Sequence, residues 1–158
     1  MTMDQFLKRY ENLDSMITQW MGKNGIALLR ISLGIIFLWF GVLKFFPGLS
    51  PAQGLATRTI DILSFGLVVP EISIILLALL ECVIGLGLIF GVFLRTTLFL
   101  LFAQMLGTVT PVFLFPNEVF TQIPYAPTLE GQYIIKNLVL ISAGLVIGST
   151  VKRTNNAE

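Results

Sequence analysis

The 158 residues are 55% apolar and only 12% charged, with a mean hydropathy of +0.86; soluble domains carry about 45–50% apolar and about 25% charged residues. Half the usual charge cannot cover a globule of this size, so most of the chain faces lipid, and the length allows a single domain. A net charge of +1, no histidine and one cysteine exclude a nucleic-acid partner, a His general base, a His-ligated haem, an internal disulfide and a Cys/His metal site.

The N-terminal segment is mostly polar, yet Phe6, Tyr10, Leu13, Ile17 and Trp20 recur at three- and four-residue spacing, with Lys8, Arg9, Glu11 and Asp14 off that stripe. The pattern predicts an amphipathic helix over about 1–22, lying on the inner leaflet with its aromatic rings at headgroup depth. Crossing a hydrocarbon core about 30 Å thick takes about 20 apolar residues. Four stretches reach that length, at about 25–46, 70–94, 96–115 and 132–150. The first is no signal peptide. It exceeds an h-region of about 7–15 residues and ends in Lys44-Phe45-Phe46-Pro47 rather than in small residues. After it, Ser50-Pro51 reads as an N-cap with Pro at the first helical position, predicting a short outer interfacial helix through about Phe65. Thr108, Thr110 and Pro111 mark a kink near the outer end of the third span. Pro116 to Gly131, without periodicity, reads as an irregular loop over the bundle. The fold expected is therefore all-α: an integral membrane four-helix bundle forming a single domain over 1–158, with two interfacial helices.

Loop charge predicts orientation. Lys8, Arg9, Lys23, Arg95, Lys152 and Arg153 fall on one side and Arg58 on the other, which places both termini in the cytoplasm.

Ionisable side chains inside spans are costly and mark candidate sites. Arg30, Lys44, Glu81 and Lys136 are of this kind, and Gln104 and Asn137 add amides. Counted from the cytoplasmic ends at about 1.5 Å per residue, Arg30 lies about 7 Å in and Lys44 about 28 Å, with Glu81 and Lys136 together at about 18–20 Å. The equal depth predicts a Glu81–Lys136 pair, which clamps the second and fourth spans, lines a polar pocket, or does both. Arg30, Gly34, Phe37, Gly41 and Lys44 alternate by four and three residues and share one helical face. Their cations either point into the bundle or snorkel to the nearer interface. Three cations against one carboxylate suit an anion or a quinone carbonyl better than a cation. Gly85, Gly87 and Gly91 read as helix packing, and Cys82 as inert filling.

These segments resemble the DoxX family of small bacterial membrane proteins. The resemblance rests on LLRISLGIIFLWFGVLKF (Leu28 to Phe45), LLECVIGLGLIFGVFLR (Leu79 to Arg95), PTLEGQYIIKNLVLISAGLVIGS (Pro127 to Ser149) and the SPAQG turn at Ser50. Carried over by position, the family's recurrent polar residues are Arg30, Lys44, Glu81, Lys136 and Asn137. The resemblance implies a four-helix bundle in the bacterial inner membrane. Its wider relatives include the membrane subunit of thiosulfate:quinone oxidoreductase and a maturation factor of methylamine dehydrogenase.

Three classes of function stay open. One is a redox-associated subunit that binds a quinone, a small sulfur anion, or both. It would work with a soluble or membrane redox partner, since no residues here suggest haem, flavin or an iron–sulfur cluster. The others are a non-catalytic scaffold or assembly factor, and a small-solute permease whose short bundle calls for a homo-oligomer.

Overall fold

The computed structural model describes residues 3–46, 48–50 and 53–151. Pro51, Lys152 and Arg153, and the side chains of Phe6 and Lys8, lie outside the described residues. In chain order, α1 (Met3–Leu43) leads to the short α2 (Gln53–Leu63), then α3 (Pro70–Phe90) and α4 (Leu94–Val109). Single turns α5 (Pro111–Leu114) and α6 (Pro116–Val119) follow, then a small antiparallel pair, β1 (Phe120–Gln122) with β2 (Ala126–Pro127), and finally α7 (Leu129–Thr150). Four helices among the described residues are long and apolar enough to cross a membrane: α1, α3, α4 continued through α5, and α7. The protein is an integral membrane four-helix bundle.

α3 packs against α1 and α4, and α7 packs against the same two helices. The spans thus form a ring in the order α1, α3, α4, α7, with α3 and α7 facing each other across its centre. The terminal end of the bundle, where α1 enters and α7 stops, is filled solid. Leu33, Ile84, Leu88, Leu98, Leu101 and Ile147 form its core, each at most 6% exposed. The opposite end, here the loop end, is capped by α2 and by the α5–β2 segment.

The α1–α3 contact is made backbone to backbone. A methyl group on Gly85 would come within 2.6 Å of the Leu38 nitrogen, and one on Gly34 within 2.8 Å of the Gly85 carbonyl oxygen. On Gly41 it would reach 2.9 Å from Glu81 Cβ. Glycine is needed at all three positions because any side chain would push the helices apart.

Two elements differ from the sequence expectation. The N-terminal stretch is helical but continuous with the first span: α1 runs unbroken for 41 residues, about 60 Å at 1.5 Å per residue. No proline precedes Pro47, so nothing forces a break between stripe and span. The supposedly irregular outer loop is also ordered. Pro116 opens a helical turn at the first position, where the missing N–H costs nothing, as Pro111 does at the kink expected in the third span. Thr128 then caps α7 by accepting from the Gly131 nitrogen at 3.1 Å.

Gly85→Ala should lower the melting temperature in detergent, by overpacking worth about 1–3 kcal/mol. Gly107→Ala, where an added methyl meets nothing within 4 Å, should leave it unchanged.

Candidate functional site

The glycine contact brings α1 so close to α3 that Lys44, one turn beyond Gly41, can reach Glu81. Side chains on a helix lean toward its N-terminus. Because α1 and α3 run in opposite directions, Lys44 leans inward while Glu81 leans toward the loop end, and the two meet. Lys44 Nζ donates to Glu81 Oε2 at 2.5 Å and to the Phe40 carbonyl at 3.3 Å. From α4, Gln104 Nε2 donates to Glu81 Oε1 at 2.7 Å. One carboxylate, 8% exposed, therefore joins three helices, with both oxygens satisfied.

The expected partner of Glu81 was Lys136, and the structure corrects this. Equal depth is not adjacency: Glu81 and Lys136 stand on helices that face each other across the ring, with open space between. Lys136 instead turns back along α7, its ammonium 5.8 Å from the centre of the Tyr133 ring, and it has no ion-pair partner among the described residues. Asn137 Nδ2 donates to Thr108 Oγ1 at 3.1 Å, tying α7 to α4.

Arg30 is not with these residues. Its guanidinium donates to the carbonyls of Leu88 and, at 3.1 Å, Ile89, the last acceptors of α3. The chain turns there at Gly91, whose φ of +70° favours glycine. A cation at a helix C-terminus satisfies orphan carbonyls and complements the helix dipole. Arg30 is thus a structural clamp at the terminal end.

Lys44, Glu81, Gln104, Lys136 and Asn137 all line one cavity of about 590 Å³ in the loop-end half of the bundle. Its floor is the level of Phe37 and Met105, where the solid core begins. Aliphatic and aromatic residues of all four spans form the walls, and Leu55 and Thr59 of α2 form part of the roof. The roof is latched from outside. Arg58 pairs with Glu118 through both terminal guanidinium nitrogens, one at 2.8 Å, and lies 5.2 Å from the Phe115 ring centre.

Two polar groups at the floor are incompletely hydrogen-bonded. Gln104 is 7% exposed, and its Oε1 has no hydrogen-bond partner among the described residues. Lys44 uses two of its three N–H donors. A spare donor therefore stands beside an apolar, partly open pocket, with an unpaired acceptor buried behind it. The lining also includes Tyr133 and Glu130; Glu130 escaped the sequence expectation because the fourth span was taken to begin at 132. Thr128 followed by Glu130 is a helix-start signal that would have moved the boundary. With Arg30 elsewhere and Glu130 present, Lys44 and Lys136 face Glu81 and Glu130. The expected positive excess disappears.

Comparison with protein families matches residues 25–115 to the family described as DoxX. That stretch holds Arg30, Lys44, Glu81 and Gln104, and ends before Lys136 and Asn137. No curated protein and no solved structure matches the chain.

Lys44→Ala strands a buried carboxylate and should cost about 3–5 kcal/mol, most of it recovered when Glu81→Ala is added. Lys136→Ala should cost under about 1 kcal/mol. Unfolding measurements on the four-member mutant cycle and the Lys136 variant check both.

Proposed function

The chain belongs to the DoxX family, and from that premise we propose that it is the membrane-embedded subunit of a redox system whose loop-end cavity takes the headgroup of a quinone. One observation carries this reading: an apolar pocket of about 590 Å³ with a spare donor on Lys44 at its floor and the unpaired Gln104 Oε1 buried just behind it. A quinone is a flat apolar ring bearing polar oxygens at its edge, and low dielectric strengthens each hydrogen bond made to them.

The charge balance favours a neutral dipolar ligand over an anion. Lys44 is neutralised at 2.5 Å by Glu81, and Glu130 offsets Lys136 along the lining. A sulfur anion would have to displace that pairing inside an apolar wall, at a desolvation cost that one unpaired Lys136 does not offset. In the thiosulfate:quinone form that the resemblance implies, the anion is the reductant and is handled by a partner protein, while this chain holds the acceptor. With no histidine and a single cysteine, the chain leaves the electron donor to that partner. The charge of the loops supports a bacterial inner-membrane setting with cytoplasmic termini, so that the cavity lies in the outer half of the bilayer.

The test is equilibrium binding of a short-chain benzoquinone to the protein in lipid nanodiscs. Saturable binding is expected, lost in Leu77→Trp, which fills the cavity. Lys136→Met should weaken it no more than about threefold, since its ammonium lies beside the Tyr133 ring rather than at the floor. Thiosulfate and sulfite should show no binding under the same conditions. Absence of quinone binding in a protein that melts normally would leave the polar cluster as a purely structural clamp.

A further inference from the structure

α1 leaves the bundle carrying an apolar face that the described chain does not cover. Tyr10, Leu13, Ile17 and Trp20 are 64%, 55%, 56% and 57% exposed, and follow one another by three, four and three residues. At about 100° per residue, this stripe lies roughly 120° round the helix from the Leu33–Gly34–Phe37–Gly41 face that packs on α3. It points away from the chain's own bundle. Within the membrane the same side continues as Leu28, Ile31, Ile35 and Trp39, also exposed, where acyl chains cover it.

With the hydrocarbon boundary placed where the apolar run begins, at about residue 25, acyl chains do not reach the residues before it. For an upright helix Ile17 stands about 12 Å and Tyr10 about 22 Å past that point, beyond a headgroup layer of about 5–8 Å. To lie flat on the leaflet the segment would have to bend sharply near Gly22–Gly25, and the helix passes through without a break.

We propose that this face is covered by α1 of a second copy of the chain, in a parallel coiled coil standing on the membrane. The steps of three and four are those of a heptad seam, with Tyr10 and Ile17 at a and Leu13 and Trp20 at d. A shared membrane orientation makes the two helices parallel. In that arrangement a g residue meets the e residue five positions later on the other helix. Arg9 is at g and Asp14 at e, so each copy's arginine faces the other's aspartate. Neither has an ion-pair partner in its own chain among the described residues. Met16 and Met21, 66% and 52% exposed, repeat the relation as an apolar pair. Asn24 takes the next a position, where a single polar residue sets register in two-stranded coils.

The seam is under three heptads long. It can suffice because two spans confined to one bilayer meet at high effective concentration. The opposite side of α1 lines the cavity through Phe37, Phe40 and Lys44, so pairing leaves both cavities open. The seam also lies outside the residues matched to the family, 25–115, so this proposal stands apart from the quinone reading.

The test uses the full chain in native membranes, with Cys82→Ser to remove the one natural thiol. Leu13→Cys and Ile17→Cys are expected to give disulfide-linked dimers on mild oxidation, whereas Ser15→Cys and Gln19→Cys, on the far side, are not. Arg9→Asp should reduce the Leu13→Cys cross-link, and adding Asp14→Arg should restore it. Equal cross-linking at all four positions, none at position 13, or no restoration by the charge swap would overturn the proposal. So would stronger quenching by lipid-bound nitroxides of a fluorophore at position 13 than of one at position 15, which would put the stripe on the membrane surface.

Discussion

The structure depends on the closeness of α1 and α3. Three glycines let the two helices approach so closely that an added methyl at any of them would fall within 2.9 Å of the other helix. At this separation a lysine one turn further along reaches a carboxylate that would otherwise be buried without a cation. The ion pair is a consequence of the helix contact and also its lock, since Glu81 takes a second hydrogen bond from Gln104 on the third helix of the cluster. Buried pairs contribute little net stability against an apolar alternative but penalise any arrangement that separates them. Here that penalty fixes how α1, α3 and α4 sit relative to one another.

The same lock divides the bundle in two. On its terminal side, Arg30 closes the end of α3 and aliphatic side chains fill the space. On its loop side the helices leave a cavity, bounded below by the ion pair and above by α2. Polar groups at the boundary serve both halves. Their mutual hydrogen bonds hold the helices and leave over one Lys44 donor, beside the cavity, and one Gln104 acceptor, buried behind it. In the proposed function the same three residues that hold the helices would also meet the ligand.

Much of this was legible in the sequence. Spans announce themselves by length and hydropathy, and the alternation Arg30, Gly34, Phe37, Gly41, Lys44 identified the buried face of α1. Of the polar residues singled out, all but Arg30 line one pocket. Their wiring was not legible. Counting residues gives the height of each Cα but not which helices are neighbours, nor that side chains on antiparallel helices lean toward each other. Glu81 and Lys136 share a level yet face each other across the ring, and Lys44, nominally about 8–10 Å higher, is the residue that arrives. Arg30 was misplaced for a related reason: the acceptors it serves are backbone carbonyls at the end of α3, which no side-chain pattern records. The continuous α1 escaped notice because a change from an amphipathic stripe to a uniformly apolar run reads as two elements even when one helix carries both.

The most direct test of this account is the partner of Glu81 in a bilayer. Solid-state NMR dipolar recoupling between 13Cδ-labelled glutamate and 15Nζ-labelled lysine measures it without perturbing the site. The account predicts a strong coupling, in keeping with the 2.5 Å Nζ–Oε2 separation, that disappears in Lys44→Met and survives in Lys136→Met. A coupling that persists without Lys44 and vanishes without Lys136 would contradict it.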